Sequence, residues 1–255
     1  MAETKMNVTL LAHTQLSKAF NRFDDELSFD GYTTAMGAFS ATDGQAVALS
    51  AIRTCYSPGK PSEIVAKEGA KYFGNQATDG AGGTEADRLF RQIVASKHTS
   101  TLEHLSFTFA IEGVSRALLA QLTRHRAGFS FSVQSQRYVR FGSGDRSGGF
   151  DYVVPDTVQS DPKKGHVYSN AMNYAQRAYD ALREIGIPAE DARAVLPNAA
   201  ACNLVLTANL RALLDFYAKR QPGKGAQGEI AQLAEALKSA VIEVEPWTSQ
   251  FFEGA

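Results

Sequence analysis

The chain of 255 residues carries 26 Lys+Arg against 27 Asp+Glu, a formal charge of -1, with 44% hydrophobic and 21% charged side chains. This balance excludes a disordered chain and a protein that works by non-specific duplex binding, and the length suits one large domain or two small ones. Cys55 and Cys202 lie far apart and form no CxxC, which excludes a disulfide framework and a zinc ribbon and predicts reduced thiols.

The longest charge-free stretch, Ala194 to Leu210, is broken by Pro197, Asn198, Asn203 and Asn209. It falls short of the roughly 20 apolar residues of a membrane span. The opening text MAETKMNVTLLAHTQLSKAF has an early acid and no long apolar run, so no secretory signal is read and a cytoplasmic protein is expected.

In chain order, Asn7 to Ala12 suits a short strand, and Asp24 to Gly44, dense in turn formers, reads as an irregular excursion. Gln45 to Cys55 predicts a helix, and after Pro58 and Pro61 the segment Ser62 to Tyr72 predicts another, with Ser62 as its cap. A loop at GNQATDGAGG precedes a helix capped by Thr84 and running towards Ser96, with Leu89, Ile93 and Val94 on one side; His98 to His104 connects onward.

Leu105 to Glu112 (LSFTFAIE) sets Leu105, Phe107, Phe109 and Ile111 on one face, the pattern of a half-buried strand. Gly113 is expected to break it and Ser115 to cap a helix over Arg116 to Thr123, leaving Arg124, His125 and Arg126 at or just beyond the helix end. Arg137 to Phe141 and Phe150 to Val154 are expected to pair as strands across the loop GSGDRSGG, with Asp156 to Lys164 a linker. His166 to Ile185 predicts a long helix, Pro188 starts another, Pro197 interrupts, a helical run resumes from Asn203 to Lys219, and a last helix spans about Gln227 to Val244. The fold class predicted is α+β, a helix-rich single domain around a small, mostly antiparallel sheet, with residues 1–45 a strand and irregular extension continuous with the body at 46–255.

The densest polar text is RHRAGFSFSVQSQRYVR, Arg124 to Arg140, where cations, hydroxyls and amides interleave with Phe129, Phe131 and Tyr138. Arginine forks bind phosphate bidentately, hydroxyls complete such a cradle, and aromatic faces accept a planar ring, so the segment suits a nucleotide-like anion. The plainer alternative is a solvated helix end set against the helix dipole, followed by an amphipathic strand. That alternative does not account for the conjunction.

This text resembles the signature of the flavin-dependent thymidylate synthases, Arg-His-Arg followed at a set spacing by Ser and then x-Arg-Tyr. Here Arg126 and Ser135 enclose AGFSFSVQ, one residue more than the signature carries, placed among Ala127, Gly128 and Phe129. Upstream, Ser100, Leu102, Glu103 and His104 match SxLEH, and downstream ARAVLP, NLRALLDF and AQGEI follow in the family's order, so the resemblance covers about Ala48 to Phe251.

The resemblance implies reductive methylation of dUMP to dTMP, with methylenetetrahydrofolate as carbon donor, FAD as cofactor and NADPH as reductant, in a cytoplasmic homotetramer with shared active sites and no nucleic-acid or membrane partner. It implies flavin contacts from Ser100, Arg124, His125, Arg126, Asn209, Leu210, Arg211 and Asp215, with Asp215 standing where an amide is common. It implies dUMP contacts from Gln121, Arg124, Gln134, Ser135, Gln136, Arg137, Arg193 and Arg220. Val133, where Glu or Gln is usual, is left with a backbone contact to either ligand. His98 and Tyr138 would line the folate and nicotinamide region, and no metal is implied.

Arg220 is the expected activating residue, because a cation against the uracil ring favours its enolate-like form without a covalent adduct. On one continuous helix Asn209 and Arg220 would share a face about 16 Å apart. Asp215 has the alternative of pairing with Arg211 along the helix, Arg193 of a cation near a helix, and Gln121 of an exposed helix position. Ser135 and Cys55 have no neighbouring base, so no enzyme nucleophile is expected; Cys55 is expected in the core and His104 as a buried partner of local backbone groups.

Two other classes use the same residues. A single-stranded nucleic-acid-binding module would stack bases on Phe129, Phe131 and Tyr138, but the charge of -1 and the absence of other basic runs argue against it. A flavoprotein oxidoreductase of other chemistry would share the phosphate cradle and show no dUMP dependence.

Overall fold

The computed structural model describes residues 1–17 and 41–253. Most of the excursion expected from Asp24 to Gly44 lies outside the described residues. The class is α+β, with helices around a small, mostly antiparallel sheet. By its contacts the chain forms two compact units, each assembled from separate stretches: Met1–Leu11, Thr108–Thr207 and Lys219–Leu237 in the first, Ala12–Phe107, Ala208–Ala218 and Lys238–Ala255 in the second.

Strands β1 (Glu3–Thr4) and β2 (Asn7–His13) open the chain. Thr42 caps α1 (Asp43–Thr54): its hydroxyl accepts from the Gln45 N–H while the Gln45 side chain accepts from the Thr42 N–H. Such reciprocal capping contributes about 1 kcal/mol. Ser62 does not cap α2 (Ile64–Gly74); Pro61 starts a 3-10 turn over Pro61–Glu63 that occupies the expected first turn. Thr84 caps α3 (Glu85–Ala95), and Asp87 completes the reciprocal pair. The buried face of α3 is Ala86, Leu89, Phe90 and Ile93, with Val94 half-buried. In this second unit the Phe90 ring lies 4.5 Å from that of Trp247, and burying such a side chain contributes about 2–3 kcal/mol. Beside it, buried Glu245 accepts hydrogen bonds from the Thr42 hydroxyl and, at 2.6 Å, from the Trp247 indole. Burial pushes its carboxyl up, against the pull of those donors.

Strand β3 (Ser106–Ser115) buries Phe107, Phe109 and Ile111 in alternation and does not end at Gly113. Gly113 takes φ 66°, its N–H donates to Asn203 Oδ1 at 3.0 Å, and a Cβ there would strike the Lys5 carbonyl. The glycine lets the backbone twist locally while the strand continues. Ser115 then caps α4 (Arg116–Leu122), its hydroxyl accepting from the Leu118 N–H. Strand β4 (Phe129–Val133) follows.

The hairpin expected between Arg137–Phe141 and Phe150–Val154 does not form. Residues 135–139 close a turn, and the backbone groups of Phe141 and Phe150 bond to Tyr179 and Gln176. Phe141 and Phe150 enter a cluster with Met172 and Tyr179. Strand β5 (Tyr152–Val153) pairs in parallel with β1, Glu3 opposite Tyr152. The expected linker is helical: α5 (Asp156–Gln159) leads to α6 (Pro162–Glu184), which Asp161 caps and Pro162 starts. Helix α7 (Ala189–Ala192) follows Pro188.

The helical run expected from Asn203 to Lys219 is half strand. Strand β6 (Ala201–Asn209) buries Cys202, Leu204, Leu206 and Ala208 on one face, and α8 is confined to Leu210–Arg220. Asn209 ends the strand and caps the helix, its Oδ1 accepting from the Ala212 N–H at 2.9 Å. The shared helical face expected for Asn209 and Arg220 therefore does not exist. Helices α9 (Gly228–Val244) and α10 (Ser249–Glu253) close the chain. The four-stranded sheet runs β2-β3-β6-β4, which makes β4 an edge strand.

Candidate active site

In the first unit, α4 ends at Leu122 and the chain leaves it through Arg124, His125 and Arg126 on the way to β4. Arg124 and Arg126 are exposed, and neither has an ion pair or hydrogen bond among the described residues. His125 is half-buried, and its Nε2 accepts the Nε–H of Arg220, the last residue of α8, at 3.1 Å. A guanidinium cannot accept a hydrogen bond, so this imidazole is neutral with its proton on Nδ1. Burial lowers the His125 imidazole below its usual range, and Arg220, Lys219 and Arg124 push it the same way. The Phe129 ring stands 6.1 Å from that of His125, and Phe131 stacks on Phe129 at 5.8 Å.

Beyond β4, Gln134 leads into the one turn that holds Ser135, Gln136 and Arg137 of the expected substrate residues, while Gln121 lies on α4, Arg193 on a 3-10 turn after α7 and Arg220 at the end of α8. Val133 ends the strand half-buried; the Gln134 N–H donates to the Asn203 carbonyl at 2.8 Å. Ser135 Oγ accepts the Arg137 N–H at 3.2 Å, and the Gln136 side chain is buried. Arg137 Nε pairs with the Glu190 carboxylate at 2.9 Å, its guanidinium 5.4 Å from the centre of the Tyr138 ring, which is 80% exposed. Arg193 Nε donates to the Glu190 carbonyl at 2.9 Å. Gln121, half-buried on α4, sets its Nε2 3.5 Å from Gln227 Oε1.

The other expected residues belong to the second unit. Ser100 is exposed on the 3-10 turn Thr99–His104. Arg211 pairs with Glu103 at 2.6 Å and not with Asp215, which is exposed. Leu210 is buried and its N–H donates to the Leu105 carbonyl, and the Asn209 side-chain oxygen is taken by the helix cap. His98 Nδ1 lies 2.9 Å from the Tyr56 hydroxyl. A cavity of about 500 Å³ is lined by Cys55, His98, Ser100, Glu103 and His104. Cys55 and His104 are exposed, contrary to expectation: Cys55 follows the last turn of α1, past its buried face, and His104 ends a 3-10 turn whose buried residues are Thr101 and Leu102.

Three residues that hold these groups were not picked out as site residues: Glu190, Glu103 and Asn203. Glu190 stands three residues before Arg193 at the start of a short helix, and Glu103 lies inside the SxLEH text, so both carried a local signal. Asn203 carried none, because its role comes from sheet pairing.

A family model described as thymidylate synthase complementing protein, Thy1, matches residues 39–247. A flavin-dependent thymidylate synthase of Geobacter sulfurreducens is 40% identical over 204 residues, covering 80% of each chain. One of Clostridium tetani is 34% identical over 216 residues, covering 78% of each chain. In fold, the chain is similar to the crystal structure of a UMP/dUMP methylase PolB from Streptomyces cacaoi bound with 5-Br dUMP, at TM-score 0.69 and 22% identity, over 99% of this chain and 96% of that one. With the family model spanning most of its length and a relative at 40% identity aligned over four fifths of it, this chain belongs to the flavin-dependent thymidylate synthase family.

Proposed function

We propose that the protein converts dUMP to dTMP by reductive methylation, taking the carbon from methylenetetrahydrofolate and the reducing power from NADPH through FAD, with no covalent bond between enzyme and substrate. The observation that carries this reading is the neutral His125 holding Arg220 by its Nε–H beside two unneutralised arginines, Arg124 and Arg126. FAD carries a pyrophosphate and dUMP a phosphate, and arginines without a hydrogen-bond or ion-pair partner among the described residues are the groups such anions require. The exposed Ser100 hydroxyl and the Asn209 amide N–H2 add donors of the right kind. The donor set fits the cofactor.

FAD, when bound and reduced, supplies the hydride that completes the methyl group. The chain's own residues bind and polarise. Arg137 and Arg193 take the dUMP phosphate, supported by Gln121, Gln134, Ser135 and Gln136, with a backbone contact from Val133. Arg220, fixed through Nε, keeps its terminal Nη groups for the uracil ring and stabilises the negative charge that makes C5 nucleophilic. His125, Leu210, Arg211 and Asp215 belong to the flavin side, and His98 and Tyr138 to the folate and nicotinamide side. No nucleophile is called for: Ser135 Oγ accepts the Arg137 N–H, the Cys55 thiol hydrogen-bonds to the Ala51 carbonyl, and neither hydrogen-bonds to a base among the described residues. Residues 1–45 extend one continuous catalytic domain, which works as a cytoplasmic homotetramer with shared sites and without nucleic-acid or membrane partners; among the described residues no helix is long and apolar enough to cross a membrane.

The test is a visible spectrum with added FAD, together with tritium release from 5-tritiated dUMP in the presence of NADPH, with and without methylenetetrahydrofolate. Folate-dependent release with dTMP formed is expected. Arg220→Ala should retain flavin and lose methylation, whereas Arg126→Ala should weaken flavin retention. A flavin-binding protein inert towards dUMP overturns the reaction, and normal dTMP formation by Arg220→Ala removes the activating role.

A further inference from the structure

Two cations of the substrate cluster share one neighbour. The Glu190 carboxylate takes the Nε–H of Arg137 at 2.9 Å, and its main-chain carbonyl takes the Nε–H of Arg193 at 2.9 Å. In each guanidinium the Nε–H lies on one edge and the two Nη groups on the far side, so a bond at Nε leaves the distal pair for an end-on, bidentate contact. Arg137 is held further by the Tyr138 ring at 5.4 Å and by its N–H on Ser135 Oγ at 3.2 Å.

We propose that Glu190 is a positioning residue of the phosphate subsite, holding Arg137 by its Nε–H, next to the Arg193 that its own carbonyl tethers, so that the free Nη groups of both meet one phosphate dianion. This rests on the reading that Arg137 and Arg193 take the phosphate of dUMP. The side chains of Arg137 and Glu190 are 52% and 47% exposed, and so open a pair adds little to folding. Its use is orientation: an exposed arginine samples many rotamers, and a brace at Nε removes that freedom before the ligand arrives. A carboxylate this close to a dianion also repels it. The two effects have opposite signs on removal, so experiment separates them.

The experiment measures binding of dUMP and of deoxyuridine, which lacks the phosphate, to the flavin-loaded protein and to Glu190→Ala and Glu190→Gln, each also in Arg137→Ala and Arg193→Ala backgrounds. Glu190→Ala should weaken dUMP about tenfold and leave deoxyuridine unchanged. Glu190→Gln, which keeps an acceptor oxygen, should recover part of the loss. The effect should vanish in Arg137→Ala, which has nothing left to brace, and persist in Arg193→Ala, whose tether is main-chain. An unchanged preference for dUMP over deoxyuridine, tighter dUMP binding in Glu190→Ala, or an effect that survives in Arg137→Ala overturns the proposal. A parent protein that binds dUMP no better than deoxyuridine overturns the phosphate reading beneath it, and the brace with it.

Discussion

Replacing Gly113 by alanine tests the account of β3 most directly. At φ 66° an L residue costs about 1–2 kcal/mol in the left-handed region. The added Cβ would meet the Lys5 carbonyl, which is backbone and cannot swing aside, and would lie 2.8 Å from Thr4 Oγ1. Relieving that collision pulls the Gly113 N–H away from Asn203 Oδ1, now 3.0 Å away, for about 1 kcal/mol more. The sum is about 3 kcal/mol or more, and at about 2–4 °C per kcal/mol for a chain of this size the thermal midpoint should fall by about 6–12 °C. Urea titration of parent and variant measures it. Gly144→Ala is the control, since Gly144 has open space around its Cβ position and no positive φ, and should change stability by less than about 0.5 kcal/mol. A Gly113→Ala protein within about 1 kcal/mol of the parent refutes the reasoning.

Gly44→Ala opposes two effects: helix propensity favours alanine by about 1 kcal/mol, but its Cβ would run into the Glu245 carboxylate, which Thr42 and Trp247 hold in place. A net loss of about 1–2 kcal/mol is expected, and a raised thermal midpoint would contradict it. Ser115→Ala removes the cap of α4 and the hydroxyl that donates to Glu229 at 2.5 Å, which should cost about 1–2 kcal/mol in urea titration; no measurable loss would show that α4 holds without it. His125 is held below its ordinary range by burial and by neighbouring cations, so the unfolded chain takes up its proton first. The stability linked to its neutral form is fully present above about pH 6.5 and falls as pH drops below it. The bond to Arg220 is lost only at the lower pH where the folded imidazole itself takes a proton. Thermal midpoints of the parent should drop more steeply than those of His125→Gln over that window, and identical slopes would exclude the linkage.

Much of the architecture was legible because period-two and period-3.6 patterns report burial directly. LSFTFAIE gave β3, Thr84 and Ser115 gave their helix starts, and the position of Arg124 to Arg126 just past α4 followed. ACNLVLTAN alternates as strictly, with Cys202, Leu204, Leu206 and Ala208 buried, yet the helix-forming text from Leu210 onward masks the change of period at Asn209. The apolar residues around Arg137 to Phe141 looked like a strand, but the Val139 N–H turns back to Ser135 and the Phe141 backbone bonds go to Tyr179 and Gln176, partners that no local pattern names. The parallel pairing of β1 with β5 is invisible for the same reason. At the site, the cationic residues stood out in the text, while the carboxylates that orient them, Glu190 and Glu103, carried only a weak local signal, because their importance lies in geometry across separate segments.

Both β3 and β6 hand over to a helix with no residue between, the last strand residue serving as the cap: Ser115 for α4 and Asn209 for α8. Neither junction has slack. One codon inserted at either would rotate every later side chain of the helix by about 100° about its axis. At the second junction the strand would keep its buried face, but the buried side of α8, Leu210, Ala212, Leu213, Phe216 and Tyr217, would turn out of its packing and Arg220 away from His125. In these two places the genetic text tolerates a change of letter far better than a change of count, whereas at Gly144, with open space around its Cβ position, a change of letter meets nothing at all.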